Sequence, residues 1–131
     1  MSLPGPSMQR DILLLTEMID AAEQAQQLTA NVTVSELESD RQRRDALLWN
    51  FTVLSEAAGQ LSAELKDRFP DVPWQQSMRL RNRIVHGYWS IDLEVLHTTA
   101  AEQLPTFTAS LRTALERRSN EPEPEISPDL D

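Results

Sequence analysis

Cysteine is absent from the 131-residue chain, so neither a disulfide nor a thiolate-held metal can contribute, and a reducing cytoplasm is the expected setting. Histidine is scarce: His86 and His97 stand eleven positions apart, and no carboxylate sits at H-E-x-x-H spacing. The three glycines are isolated, so no Gly-rich phosphate loop can be written. Apolar runs such as Ile12 to Leu15 are far too short to span a bilayer or serve as a signal peptide, and no membrane partner is expected. Strand-like alternation and internal repeats are missing as well. What chemistry remains is metal-free acid-base work without a cofactor.

The apolar residues that are present, 40% of the chain, suit one globular core and fall at helical spacing. Residues 1–7 read as an expression leader or disordered start, with Met8 as initiator, residues 8–118 as the folded domain, and 119–131 as an acidic disordered tail. Ile12, Leu15, Met18, Ile19, Ala22 and Ala25 predict an amphipathic helix from Gln9 to about Thr29. A short turn follows, capped by the box Thr33-x-x-Glu36. A second box, Ser39-x-x-Gln42, predicts the start of one long helix carrying Leu47, Phe51, Leu54, Ala58, Leu61 and Leu65. Pro70 and Pro73 require that helix to stop near Phe69. A third helix is expected from Trp74 to His86, closed by Gly87. The last helix begins at Ser90 or Asp92, carries Leu93, Leu96, Ala100, Leu104, Phe107, Leu111 and Leu115, and should bend at Pro105. The predicted fold is an all-α up-and-down bundle of four to five helices.

Net charge is −9, which at first argues against a nucleic-acid partner. Five of those charges, Glu121, Glu123, Glu125, Asp129 and Asp131, lie beyond Arg118 with no basic residue among them, so the rest of the chain carries only −4. Arg79, Arg81 and Arg83 crowd one segment, and Arg41, Arg43 and Arg44 another. Local sign therefore matters more than the total.

The first of these segments continues as R-x-x-x-x-H-x-Y, from Arg81 to Tyr88. Arginine can hold a phosphate, imidazole can move a proton near neutral pH, and a phenol can donate a hydrogen bond or accept a covalent group. Those are the tools for breaking a phosphodiester. On a helix, residues five apart diverge by about 140°, so Arg81 and His86 of one chain point different ways. Asn82 and His86 share a face, as do Arg79 and Arg83. A symmetric dimer packing this segment against its copy would bring arginine and histidine together from two chains, so a composite site at the motif region is expected.

Plainer readings stand beside these. A histidine in the last turn of a helix can be a capping cation. Arg41, Arg43 and Arg44 read as a solvated or acid-paired face. His97 reads as packing, and Trp49, Trp74 and Trp89 as core or interface anchors rather than base-stacking platforms. Glu56 reads equally as a partner of the arginines or as solvated.

The block from Arg81 to Asp92, Arg-Asn-Arg-Ile-Val-His-Gly-Tyr-Trp-Ser-Ile-Asp, resembles the signature of the HEPN superfamily and specifically its HepT-like toxins. Arg44-Asp-Ala, Ser55-Glu-Ala57 and Pro73-Trp74 are similar to upstream features of that family, with Ser55 where glycine is frequent. The resemblance spans roughly Met8 to Leu115. It implies a metal-independent endoribonuclease toxin working as a homodimer, with His86 as general acid-base, Arg81 on the scissile phosphate, and Asn82 and Arg83 in support; Arg79, on the face of Arg83, is a further candidate for RNA contact. It further implies a nucleotidyltransferase antitoxin that attaches AMP to Tyr88. The alternatives are a non-catalytic helical subunit that docks a nucleotidyltransferase or binds nucleotide, and a plain dimerisation module.

Overall fold

The computed structural model describes residues 6–76, 79, 80, 82 and 92–120. Among them there is no strand, and the architecture is the expected all-α bundle. Its long members are α1 (Pro6–Thr29), α3 (Arg41–Gln60) and α6 (Leu104–Asn120); α2 (Val34–Ser39), α4 (Ala63–Arg68) and α5 (Leu93–Thr98) are single short segments. Helix α1 packs against both α3 and α6. Its apolar face, with Leu15, Met18, Ala22 and Ala25 at 0% exposure, meets Leu47, Phe51 and Ala58 of α3 and Leu111 and Ala114 of α6 in one core. Each fully buried leucine there contributes about 2 kcal/mol through lost apolar surface.

The helix ends explain the layout. Helix α1 starts three residues before the expected Gln9, and Met8 is buried. It ends because Asn31 takes a left-handed conformation, φ 58°, which asparagine tolerates better than most residues. Thr33 then caps α2 with both arms of the predicted box: the Glu36 amide donates to Thr33 Oγ1 at 3.1 Å, and Glu36 accepts from the Thr33 amide. Helix α3 departs from expectation. Its cap is Asp40, whose carboxylate accepts from the Arg43 amide at 3.1 Å, while the Ser39 hydroxyl turns back to the Glu36 carbonyl. Aspartate one residue later captures the free amides and displaces the serine box.

The long helix expected to run to Phe69 is broken in two. Leu61 leaves the helical region with ψ 146°, and Ser62 caps α4, accepting from the Leu65 amide. Ser62 also donates through its amide (2.9 Å) and its hydroxyl (2.6 Å) to Asp11, a carboxylate 1% exposed on α1. A break there lets the backbone reach a buried acceptor, and Gly59 just before it favours the interruption. Leu61 and Leu65 still fill the core as their spacing predicted.

Asp92 caps α5, accepting from the Glu94 amide at 2.9 Å. Helices α5 and α6 are joined by a π-helical turn, Thr99–Gln103, immediately before Pro105. Proline has no amide to donate into the ladder and crowds the carbonyl four residues back, and the chain answers with a widened turn whose Leu104 amide reaches the Thr99 carbonyl. Among the described residues no helix is long and apolar enough to cross a membrane.

Candidate functional site

The described residues on either side of the arginine-bearing segment are each tied into the bundle. Upstream, Pro70 to Pro73 forms a tight connection: the Val72 amide bonds the Phe69 carbonyl at 3.1 Å and the Trp74 indole donates to that same carbonyl at 3.0 Å. Trp74 is buried, as a core anchor should be. Residues 74–76, 79, 80 and 82 are helical, as expected for the third helix. Downstream, α5 is tied to the loop after α1 by His97, whose Nε2 donates to the Val32 carbonyl. That gives His97 a specific tether in addition to the packing expected of it.

Leu80 turns inward against the core, while Arg79 and Asn82, three positions apart and so on one helical face, are exposed. Arg81, Arg83, His86, Tyr88 and Trp89 lie outside the described residues. Beside Arg79 runs a groove of about 590 Å³. Phe51, Leu54, Leu80, Val95, Leu104 and Phe107 give it an apolar floor, and Arg79, Asp71, Gln76 and Glu102 are among its polar margin. A cleft of this size with an arginine on its edge can seat an apolar surface while presenting charge to a phosphate.

The other sequence-derived candidates separate cleanly. Arg41 pairs with Asp45 and Arg43 with Asp40, each at 3.5 Å; Arg43 also donates to the Leu28 carbonyl at 2.9 Å and Arg44 to the Glu38 carbonyl at 2.7 Å. This cluster fastens the α1–α2–α3 connections. Trp49 corrects the core reading, since it is 66% exposed on α3. Glu56 is half-buried on α3. Ser55, where the resembling family often has glycine, is fully buried with its hydroxyl bonded to the Phe51 carbonyl at 2.9 Å, so the substitution is absorbed inside the helix. Among the described residues no group of three or more histidines and carboxylates could hold a metal.

One charged cluster escaped the sequence reading. Arg118, 2% exposed near the end of α6, donates to Asp11 and to Glu64, each at 3.3 Å, while Asp11 also receives Ser62. A signal did exist: Asp11 occupies an apolar-stripe position between Met8 and Leu15, where a carboxylate demands a partner.

Comparison with known proteins bears on the same segment. The family described as ribonuclease HepT-like matches residues 18–114. A protein of Thermococcus cleftensis, named as a probable ribonuclease HepT, is 24% identical over 92 residues, covering 70% of this chain and 84% of its own. A Methanocaldococcus jannaschii protein named as an RNase is 26% identical over 97 residues, 73% of this chain and 89% of its own. No solved structure matches the chain. With its helical bundle, its arginine-edged groove and a match across nearly three quarters of its length, the chain belongs to the HepT-like ribonuclease family.

Proposed function

We propose that the chain is a metal-independent endoribonuclease toxin of the cytoplasm, acting as a homodimer whose cleft joins two copies of the segment Arg81 to Tyr88. Membership of a ribonuclease family whose match spans the whole segment carries the reading. His86 takes the proton from a ribose 2′-hydroxyl, the 2′-oxygen attacks phosphorus, and the bond to the 5′-oxygen breaks as that oxygen is protonated, leaving a 2′,3′-cyclic phosphate. Arg81 binds the phosphate and stabilises the charge that develops on it. Arg83, Asn82 and Arg79 extend the cationic and hydrogen-bonding surface along the strand. The apolar groove beside Arg79 offers the surface that a second copy would cover. A nucleotidyltransferase antitoxin silences the site by placing AMP on Tyr88, adding bulk and negative charge where RNA must lie.

The test is cleavage of RNA in the presence of a chelator, lost in His86→Ala. A mixture of His86→Ala and Arg81→Ala chains that exchange subunits should recover roughly a quarter of wild-type activity, because half of the dimers are mixed and each has one intact composite site. No recovery would remove the composite site. Intact RNA with the wild type would remove the enzyme, and growth arrest that survives His86→Ala would favour a docking subunit instead.

A further inference from the structure

We propose that the π-helical turn presents Glu102 and Gln103 to an RNA base in the groove beside Arg79, and that the base they select is guanine. This deepens the ribonuclease function proposed above and rests on its RNA-binding part. A phosphate site is poorly served by carboxylates. Yet the groove that carries Arg79, the one cation among its described lining residues, also carries Glu102 and Asp71. A partner other than phosphate has to offset their repulsion.

The groove suits a nucleotide in its size and in its apolar surface. Its volume of about 590 Å³ lies in the range of pockets that enclose a ligand of that size. Val95, 41% exposed, and the half-buried Leu80 offer apolar surface to the faces of a base, in addition to the buried Leu54 and Phe107. Gln76 and Arg79, three apart on one helical face, stand ready for the phosphate and ribose of the same nucleotide.

The margin at the π-turn carries the selectivity. Glu102 and Gln103 are adjacent and exposed, and among the described residues their side chains make no hydrogen bond. Thr99, which also lines the groove, is committed, its hydroxyl donating to the Val95 carbonyl at 2.8 Å. Guanine carries N1–H and N2–H side by side on its Watson–Crick edge, with the acceptor O6 next to them. A carboxylate receives both N–H groups, and a neighbouring amide N–H reaches O6. Adenine and cytosine turn a ring-nitrogen lone pair toward the carboxylate, and uracil offers one N–H between two carbonyls. Asp71 has no such companion, since Pro70 and Val72 flank it.

A second cavity, of about 740 Å³ beside His97, is the rival site. Gln26 and Asn31 are among its lining, but no carboxylate or guanidinium is among the described residues there. It can neither take paired N–H groups on a carboxylate nor hold a phosphate by an arginine.

The N2 amino group makes one charge-assisted hydrogen bond, so its loss in inosine should weaken binding about tenfold. Short 2′-O-methyluridine oligomers with one central guanosine or inosine, which cannot be cut through the 2′ position, would be compared by anisotropy. The guanosine oligomer should bind about tenfold more tightly, and Glu102→Ala should bring the two together. Equal affinities in the wild type overturn the assignment, as does a preference that survives Glu102→Ala and is lost in Asp71→Ala.

Without RNA, guanosine 5′-monophosphate should shift the amide signals of Glu102 and Gln103, and inosine 5′-monophosphate should do so only at about tenfold higher concentration. Shifts centred on Asn31 and His97 overturn the subsite. So does a groove covered by the second copy so that neither nucleotide shifts these amides. A guanosine response in a chain that neither binds nor cuts RNA would leave the subsite standing and remove the ribonuclease. RNA cleavage with no response at Glu102 and Gln103 would do the reverse.

Discussion

Replacing Asp11 with alanine should destabilise the fold strongly. Asp11 is 1% exposed and receives three donors: the Ser62 amide at 2.9 Å, the Ser62 hydroxyl at 2.6 Å and the Arg118 guanidinium at 3.3 Å. Arg118 is itself 2% exposed, and Glu64, whose side chain is 58% exposed, can compensate it only from the solvent side. Removing one member of a buried ion pair leaves the other charge in low dielectric and costs about 3 to 5 kcal/mol. For a domain of this size that lowers the thermal midpoint by roughly 10 to 20 °C. Urea unfolding followed by circular dichroism would measure it. The double variant Asp11→Ala, Arg118→Met should recover part of the loss, since no charge is then stranded. A cost for Asp11→Ala below about 1 kcal/mol, or strict additivity in the pair, would refute the view that this cluster locks α1, α4 and α6 together.

Two further outcomes are expected. Thr33→Ala should lower stability by about 1 kcal/mol, because the Glu36 amide then loses its capping oxygen; chemical unfolding reads it directly. Arg79→Ala should weaken binding of the uncleavable RNA similarly for all sequences and reduce the salt dependence of its affinity by about one charge, whereas an unchanged salt slope would place Arg79 outside the RNA path.

Much of the bundle was legible in the chain because burial and periodicity report the same thing on a helix. Leu15, Met18, Leu47, Phe51, Leu96 and Leu111 lie at helical spacing and all are buried. Local caps were legible where a single competitor existed, as at Thr33. They were misread where two polar residues adjoin, since Ser39 and Asp40 offer equivalent acceptors and only the path of the backbone selects aspartate. The break at Leu61 was hidden for another reason. Its apolar stripe continues across it undisturbed, and the partner that rewards the break, Asp11, lies fifty-one residues away.

For the candidate site, spacing paired Arg79 with Arg83 and Asn82 with His86, and the exposure of Arg79 and Asn82 came only with Leu80 turning into the core. The groove beside them was invisible in the sequence, because its walls come from α3, the Pro73 to Leu80 segment, α5 and α6, which no local pattern joins. Trp49 makes the same point in reverse: its size argued for the core, but its angular position on α3 turns it to solvent.

By itself, then, the sequence determined helix class, the core stripe and the identity of the reactive side chains, because these depend on residue type and on the 3.6-residue period. Tertiary structure alone decided which caps win, where the long helix breaks, which arginines are already engaged and which remain at a groove edge. Those outcomes depend on contacts between residues distant in the chain, where a buried carboxylate such as Asp11 can outweigh the local preference of the segment it meets.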